Sequence, residues 1–558
     1  MVNEDSAVPV ELIRVGAGNL LISELACPRF LAAKARPAIR VGRGIYKGRE
    51  QLADFALGTI MDIVSRVEFD RVDEDSAVSD PSWRERHHAA VVTFIEHAVR
   101  AYVNMSTGSG IGRSMRPVRG VWVAGRQTQS KIWEMYAWGR GYESLDGTVR
   151  EFRFIRSSLR NARDPRQVAV AAYAAAFGVA CKWSPSEWGE PFAPIDSTVP
   201  PGVGRVRIVE VCLFDGEVEV LFDGTPAVAE SLYRSVAADA VKETVYGTDT
   251  QPGRNCLSCK IFGGTCRDIT DAPGLLGVTA ERDAPYRTVS ISTLRYYRDC
   301  PARMYLYGAG VPRIGEYSDL AGLGQAVHGR LAALHARGAG ACCVGELPSG
   351  DDEWAAEGWT VRGELARCGA EMLRHHLQVC PFDGLDLPIG EVLPEPTLVF
   401  HDRVARAIVV AKPDLLYQES GSWVWREVKT TQSRRDVSGV LLSRFPQLAL
   451  ATVLLADGRL GGDGRGSRVE LELLRPDRAE LWTIDPSDSG RVAEARETLR
   501  QLSSEWRDDL RFEARPGKTC QWCPVSLWCA DRSTVATYDE EDARDEYEFE
   551  HDPAAESD

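Results

Sequence analysis

The most constraining feature of the sequence is the segment KPDLLYQESGSWVWREVKTT, at residues 412–431. VARAIVVAKPDLLY, at residues 404–417, reads as one strand, QESGSW supplies turn residues, and SWVWREVKTT resumes with β-branched and aromatic residues, a pattern typical of a β-hairpin. A two-residue turn at Ser420 and Gly421 fixes the register of the strands and places Asp414 opposite Glu427. Facing side chains in a hairpin lie about 5 Å apart. The segment therefore predicts two closely spaced carboxylates on one face of a sheet.

Lys429 belongs to the same face, because side chains two residues apart on a strand point the same way. Two adjacent carboxylates repel each other unless a cation lies between them, and Mg²⁺ or Mn²⁺ suits their oxygen atoms. The lysine can then orient a water molecule or offset charge on a phosphate oxygen. This combination favours hydrolysis of a phosphodiester. These three residues leave open the alternative of a surface hairpin with an ordinary ion pair.

Cysteines form a second pattern. TCQWCPVSLWCA places Cys520, Cys523 and Cys529 at the spacing C-x2-C-x5-C, and Cys300 precedes a proline in STLRYYRDCPARMYLY. Three cysteines do not complete a four-ligand site, so Cys300 is the candidate fourth ligand. We find no leader segment and no run long enough to span a bilayer, so we expect a cytoplasmic protein. In such a protein we expect the cysteines to bind metal rather than form disulfides. Four thiolates suit zinc as well as an iron–sulfur cluster.

In this order, the motifs resemble the RecB-type branch of the PD-(D/E)XK nucleases that carries an iron–sulfur cluster, as in the AddB nuclease domain and the CRISPR-adaptation exonucleases. The resemblance covers about residues 288–532. Its matching features are the S-x-L…CP helix before Cys300, GLGQAVHGRL with His328, the KPD…EVK core, FPQLALA with Gln447, and the C-terminal cysteine triplet.

The resemblance implies an α/β fold in which a mixed sheet is flanked by helices, a [4Fe–4S] cluster on the four cysteines, and Mg²⁺- or Mn²⁺-dependent cleavage of DNA. By position, it makes Asp414, Glu427 and His328 metal ligands. It makes Lys429 the catalytic lysine and Gln447 a residue that supports the site or its DNA. Taken alone, a residue such as His328 is more often an ordinary helix histidine, and its place in the order of the family's motifs favours the role of a ligand. Glu395, in PEPTLVF, is placed either near the site or at an exposed strand start.

The N-terminal half repeats the cysteine pattern. Cys27 precedes a proline in NLLISELACPRFLAAK, and NCLSCKIFGGTC places Cys256, Cys259 and Cys266 at the spacing C-x2-C-x6-C. The last spacing is one residue longer than in the C-terminal triplet. These four cysteines are therefore the candidate ligands of a second cluster.

The carboxylate hairpin is also repeated, in a damaged form. GYESLDGTVREFRFIR reads as a hairpin that carries Glu151 and Arg153 where the C-terminal half has a glutamate and a lysine, and RQVAVAAYAAAF matches the glutamine helix with Gln167. The aspartate is missing: counting back as in the C-terminal half gives Trp138, and pairing across the turn gives Tyr142. An arginine cannot ligate a metal. We therefore predict a degenerate site that grips or guides nucleic acid; the alternative is a folding partner in which Cys27 only fills a core.

The expected architecture is two tandem PD-(D/E)XK restriction-endonuclease-like domains. The degenerate domain covers residues 1–275, the catalytic domain residues 285–535, and an acidic tail residues 536–558. From position 538 onwards the chain contains eleven acidic residues and one arginine, which account for most of the net charge of −15. The remaining protein can thus carry a basic groove, and we expect the tail to be a disordered end, a competitor for that groove or a docking segment.

The leading functional hypothesis is a DNA exonuclease or end-processing nuclease in DNA repair, recombination or phage defence, acting on single strands or duplex ends. The alternative is a non-catalytic DNA-binding or scaffold subunit of a helicase–nuclease or defence complex. PGKT, at residues 516–519, lacks the first glycine of a phosphate loop because Phe512 stands there. Opening a duplex therefore requires a separate helicase. The basic segment KTTQSRRD, at residues 429–436, suits contacts with phosphates or is a plain solvated loop.

Overall fold

The computed structural model describes residues 10–22, 26–39, 52–53, 55–108, 115–157, 162–184, 187–196, 202–263, 266, 268–281, 284–314, 319–338, 342–349, 353–382, 389–432, 438–461 and 466–532. Three segments discussed above lie outside these residues: positions 23–25 of the motif before Cys27, the basic loop at 433–436, and the acidic tail at 536–558. Within the described part of the chain, no helix is long and apolar enough to cross a membrane.

Helices and strands are interspersed in both halves, so the fold is mixed α/β, as the sequence predicts. The strands before residue 250 are β1 (Glu11–Gly16), β2 (Met115–Pro117), β3 (Val121–Gln127), β4 (Lys131–Tyr136), β5 (Arg140–Ser144), β6 (Val149–Arg156), β7 (Val179–Cys181), β8 (Arg205–Cys212) and β9 (Val218–Gly224). The strands after residue 250 are β10 (Thr270–Asp271), β11 (Arg287–Val289), β12 (Trp354–Ala356), β13 (Trp359–Val361), β14 (Ile389–Pro394), β15 (Leu398–Asp402), β16 (Ala407–Ala411), β17 (Leu415–Glu419), β18 (Ser422–Thr430), β19 (Arg468–Arg475) and β20 (Arg478–Ile484).

The helices are distributed in the same way. Those before residue 250 are α1 (Pro28–Lys34), α2 (Ala56–Phe69), α3 (Glu74–Val78), α4 (Pro81–Arg84), α5 (Ala89–Gly108), α6 (Pro165–Phe177), α7 (Pro226–Leu232) and α8 (Ala238–Tyr246). Those after residue 250 are α9 (Ile291–Asp299), α10 (Pro301–Gly308), α11 (Asp319–His335), α12 (Gly363–His376), α13 (Leu441–Arg444), α14 (Pro446–Ala456) and α15 (Ser489–Asp508).

A five-stranded sheet forms the centre of the C-terminal half, with the order β14-β17-β18-β19-β20. Its neighbouring strands are antiparallel except for β18 and β19, which are parallel. A parallel pair needs a crossover connection, and α14 lies in the one between β18 and β19. A second sheet has the order β10-β15-β16-β11, and its strands precede β17 in the sequence.

The N-terminal half has the same connection pattern. Its five-stranded sheet has the order β2-β5-β6-β8-β9, the parallel pair is β6 and β8, and α6 lies between these two strands. Its four-stranded sheet contains the antiparallel hairpin β3–β4 with β1 parallel to β4, just as β11 runs parallel to β16 of the β15–β16 hairpin. Strand order and strand direction therefore match between the two five-stranded sheets. The four-stranded sheets share three strands of this pattern and differ in the fourth, because β7 is antiparallel to β3 whereas β10 is parallel to β15.

The predicted hairpin is formed by β17 and β18. Ser420 has φ +50° and Gly421 has φ +83°, so both turn residues adopt the left-handed conformation that a type I′ turn requires. The register pairs Glu419 with Ser422 and Leu415 with Arg426. This is the predicted register, and it directs alternate residues of β18 to the same face.

The prediction of one continuous strand through residues 404–417 is wrong. The segment forms β16 and β17, which belong to different sheets, and residues 412–414 connect them. Pro413 has no amide hydrogen and cannot donate to a sheet ladder, which explains the break. Asp414 therefore lies in a crossover between two sheets, directly before β17, rather than inside a strand.

The crossover helix α14 is apolar on every side and is buried along its whole length. It packs between the five-stranded sheet and α15, which explains why it has no polar face. The amphipathic helix α15 covers it with Leu499, Leu502 and Trp506, which are spaced by three or four residues. Asp488 is the N-cap residue of α15, and its carboxylate accepts hydrogen bonds from the backbone amides of Gly490 and Arg491.

Each cysteine triplet packs against the opposite half of the chain. Trp528, close to Cys529, is buried among N-terminal helices and lies 5.1 Å from Phe94, measured between ring centroids. In the reverse direction, Phe262, close to Cys259, packs with residues of β15 and β16 and lies 5.2 Å from His401. The two halves are thus held together at two places, each next to a set of cysteines.

We expect Leu454→Ala to lower the thermal midpoint strongly. Leu454 lies in α14 with no exposed surface, and loss of a buried leucine leaves a cavity that costs about 2–5 kcal/mol of unfolding free energy. Leu481→Ala, on β20, is the matched control because that side chain is 40% exposed. Melting curves followed by circular dichroism measure the difference. Equal shifts in both variants would contradict a core centred on α14.

Candidate functional site

The predicted site residues come from three elements. Asp414 lies directly before β17, Glu427 and Lys429 lie on β18, and His328 lies on α11. The helix packs against β18, and a Cβ atom at Gly324 would approach the Thr430 hydroxyl to 3.0 Å. The glycine therefore permits the close packing that brings the imidazole to the sheet.

Lys429 contacts both carboxylates. Its Nζ atom lies 3.3 Å from Oε2 of Glu427 and 3.5 Å from Oδ2 of Asp414. On the opposite side of Asp414, Oδ1 lies 2.9 Å from Nδ1 of His328. The exposed fractions of the Glu427 and Lys429 side chains are 4% and 15%. The structure thus brings the four predicted residues together in a largely buried cluster.

Two hydrogen bonds orient the carboxylates. The backbone amide of Val428 donates to Oδ2 of Asp414 at 2.7 Å, and the indole N–H of Trp425 donates to Oε1 of Glu427 at 2.8 Å. The sequence analysis does not identify Trp425 as a residue of the site. The signal was available, because Trp425 and Glu427 are two residues apart on one strand and therefore share a face.

Electrostatic contacts favour ionised side chains in this cluster. Burial by itself would raise the pKa of Asp414, but Lys429, His328 and the Val428 amide hold that pKa well below its usual range. Burial would lower the pKa of His328, yet the charge of Asp414 and its hydrogen bond raise that pKa above the ordinary value. Asp414 is therefore a carboxylate that is stabilised by positive charge.

Gln447 lies at the start of α14, which packs against β18. Both polar atoms of its side-chain amide are buried and have no hydrogen-bond partner among the described residues. Such an amide is costly unless water or a ligand satisfies it. An unsatisfied amide at this position suits the predicted supporting role.

Glu395 lies next to the cluster. Its backbone N–H donates to the carbonyl of Asp414 at 3.1 Å, and its carboxylate accepts a hydrogen bond from Lys412 at 2.6 Å. Of the two readings of Glu395, the structure favours the position near the site. Glu395 directly follows β14 and has φ +46°, in the left-handed region.

The four C-terminal cysteines line one cavity, although 220 residues separate Cys300 from Cys520. Cys300 connects α9 to α10, and Cys520 lies in a short 3₁₀ turn. The backbone amides of Arg515 and Gly517 donate to the Sγ atoms of Cys300 and Cys520, at 3.4 Å and 3.3 Å. Hydrogen bonds of this kind are part of the surroundings that orient and tune a metal–thiolate site.

The four N-terminal cysteines line a second cavity with the same backbone contacts. The amides of Gln251 and Gly253 donate to the Sγ atoms of Cys27 and Cys256, at 3.4 Å and 3.2 Å. These donors precede Cys256 by five and three residues, and the corresponding donors in the other half precede Cys520 by the same numbers. Burial, with a smaller effect of the other three cysteines, raises the pKa of Cys256 to about 11, so a nearby cation would be needed to hold the Cys256 sulfur as a thiolate.

The predicted degenerate site, at Glu151 and Arg153, contains buried ion pairs. Glu151 pairs with Tyr142 across the hairpin, as predicted, and its carboxylate binds Arg153 at 2.7 Å and Arg207 at 3.1 Å. The side chains of Glu151 and Arg153 are both 3% exposed. Gln167 accepts a hydrogen bond from Arg163 at 2.9 Å. The carboxylate oxygens are thus already used, and the arrangement is unsuited to a divalent metal.

In a comparison with known protein families, residues 288–530 match the model of a family described as the PD-(D/E)XK nuclease superfamily. No curated protein matches the sequence significantly. Among solved structures, "Crystal structure of SSO0001" matches with 14% identity and a TM-score of 0.22, over 46% of this chain and 90% of that one. At that TM-score, we draw nothing further from the similarity. The family match assigns a PD-(D/E)XK nuclease superfamily domain to residues 288–530.

Proposed function

We propose that the chain is a metal-dependent deoxyribonuclease that hydrolyses phosphodiester bonds at DNA ends, with its active site at Asp414, Glu427, Lys429 and His328. The observation that carries this proposal is the convergence of these four side chains within a PD-(D/E)XK nuclease superfamily domain. Members of this superfamily are usually metal-dependent nucleases.

The donor set suits a hard divalent cation. Asp414 and Glu427 offer carboxylate oxygens, which Mg²⁺ and Mn²⁺ prefer, and His328 adds the imidazole nitrogen that Mn²⁺ also accepts. The hydrogen bonds from Val428 and Trp425 hold the carboxylates in place before a metal binds. When bound, the metal polarises the phosphate and lowers the pKa of a water molecule.

Lys429 supplies the second part of the chemistry. Its ammonium group already contacts both carboxylates, so it is positioned to donate a hydrogen bond to a phosphate oxygen or to the attacking water. A fixed donor in a site shielded from water stabilises the charge that develops during hydrolysis. The neighbouring Gln447, whose buried amide has no partner among the described residues, is a candidate contact for DNA or for a water in this site.

The N-terminal half is proposed to be a degenerate copy of the nuclease domain that guides nucleic acid. The matching strand order, the two crossover helices and the equivalent cysteine contacts support a duplication. The ion pairs of Glu151 with Arg153 and Arg207 support the loss of catalysis in that copy.

Each cysteine quartet is proposed to bind a [4Fe–4S] cluster. Within the described part of the chain, neither quartet is among the groups whose ligand atoms all lie within 4.8 Å of one another. A tetrahedral zinc ion would bring four sulfur atoms to about 3.8 Å from one another, given Zn–S bonds of about 2.3 Å. The sulfur atoms of each quartet are thus spaced more widely than a single zinc ion requires. This spacing favours a larger inorganic group that fills the cavity.

We expect Asp414→Asn, Glu427→Gln and Lys429→Ala to abolish cleavage of DNA. The first two changes remove a charged metal ligand, and the third removes a charge-stabilising donor, whose loss alone typically costs about 10²–10³ in rate. The measurement uses end-labelled single- and double-stranded DNA, Mg²⁺ or Mn²⁺, and protein purified without oxygen. Unchanged cleavage in all three variants would remove the active-site assignment.

Glu151→Gln is the matched control, because Glu151 stands in the degenerate hairpin where Glu427 stands in the other half. We expect it to retain cleavage per folded molecule while lowering the melting temperature, since it leaves two arginines without their buried partner. Salt-sensitive DNA binding without metal-dependent cleavage by the wild-type protein would instead support the non-catalytic subunit.

We expect Cys520→Ser and Cys256→Ser each to lower the iron content by about one cluster and to reduce the brown absorption of the purified protein, because each removes one thiolate ligand. Iron and acid-labile sulfide are measured on anaerobic protein. Cys368→Ser, on α12, is the control because this partly buried cysteine belongs to neither quartet. Colourless wild-type protein that contains zinc and no iron would overturn the cluster assignment and leave the fold unaffected.

A further inference from the structure

Four buried side chains in the C-terminal half converge away from the carboxylates and from the cysteine quartets. They are His335, Cys342, His376 and Cys380, and one ligand atom of each lies within 4.8 Å of those of the other three. The two histidines are the last residues of α11 and α12, and a cysteine follows each of them. Each helix end therefore supplies one nitrogen and one sulfur ligand.

The histidine geometry matches a shared cation. Nε2 of His335 lies 3.2 Å from Nε2 of His376. A tetrahedral zinc ion with Zn–N bonds of 2.0–2.1 Å would place two ligating nitrogens about 3.3 Å apart. The two nitrogens thus already have the separation that a metal between them would impose.

A neighbouring carboxylate fixes the tautomer of His376. Nδ1 of His376 lies 2.5 Å from Oε1 of Glu472, which is fully buried on β19. A carboxylate accepts hydrogen bonds, so Nδ1 carries the proton and Nε2 keeps its lone pair for a metal. Carboxylate–histidine–metal arrangements of this kind are typical of zinc sites.

The carboxylate is itself anchored. Oε2 of Glu472 accepts a hydrogen bond from Arg426 at 3.1 Å, and the same guanidinium nitrogen donates to the carbonyl of Val379 at 2.8 Å. Arg426 pairs with Glu470 as well as with Glu472, and Arg468 gives Glu470 a second cationic partner. Zn²⁺ with two thiolates is neutral, so the ion would add no net charge to the apolar surroundings, which include Phe382 and Tyr417.

We propose that His335, Cys342, His376 and Cys380 bind a structural zinc ion. Two thiolates and two imidazoles form a common tetrahedral zinc ligand set, and four protein ligands leave no open position for substrate. This inference does not depend on the proposed nuclease activity. Its consequence for the fold is that zinc ties the end of α11 to α12 and to β19.

Zinc bound at the end of α11 would also affect the position of His328. His328 precedes His335 by seven residues on α11, a separation of about 10 Å along a helix. Zinc would therefore fix the helix that presents His328 to Asp414, although it lies too far away to take part in chemistry. His335 and its partners act as positioning residues in this respect.

The experiment is metal analysis of the full-length protein, with zinc and iron measured separately. We expect the wild type to contain one equivalent of zinc that survives dialysis against EDTA. Cys342→Ser and Cys380→Ser should each lose that equivalent and keep their iron. The control is Cys343→Ser, an exposed cysteine beside Cys342, and it should keep both metals.

A second measurement avoids variants that fail to fold. X-ray absorption at the zinc edge of the wild-type protein should show two sulfur and two nitrogen neighbours. Absence of zinc and of any other transition metal beyond the iron of the clusters would overturn the proposal. So would a disulfide between Cys342 and Cys380 in peptides from unreduced protein, or the same zinc content in Cys342→Ser as in Cys343→Ser.

Discussion

The register of the β17–β18 hairpin is the constraint on which the candidate site depends. Both turn residues have positive φ, and the turn pairs Glu419 with Ser422. Side chains alternate along a strand, so a slip of one residue would move Glu427 and Lys429 to the other face and separate them from Asp414. The type I′ turn thus decides whether two carboxylates and a lysine meet.

The opposite faces of β18 have different partners, which explains how one strand serves two buried polar groups. Glu427 and Lys429 face Asp414, whereas Arg426, which precedes Glu427 and points to the other face, binds Glu470 and Glu472 of β19. The parallel pairing of β18 with β19 makes the second group possible, and the buried helix α14 makes the parallel pairing possible. The site and the proposed zinc ion therefore depend on one central strand.

Much of this arrangement could be predicted from the sequence, because it follows from local rules. Turn chemistry determined the register of Asp414 and Glu427, and the spacing of the cysteines indicated which residues would share a cavity. The interruption at Pro413 was missed because the apolar pattern continues through it. The group formed by His335, Cys342, His376 and Cys380 was also missed, because two pairs from different helix ends converge only through tertiary packing. The sequence alone predicted that Glu151 belongs to a weakened site. Its contact with Arg207 could not be predicted, because that contact depends on the parallel pairing of β6 and β8.

The packing of each cysteine triplet against the opposite half has a consequence for how the protein matures. Trp528 is covered by N-terminal helices, and Phe262 is covered by β15 and β16. Cys27 and Cys300 each lie more than 200 residues before the triplet that they join. The described residues that line each cavity nevertheless all come from the half that holds its cysteines, so each half can complete its own cavity before the two dock. Docking then covers the apolar side chains beside each set of cysteines, and a chain cut between the halves would expose those surfaces.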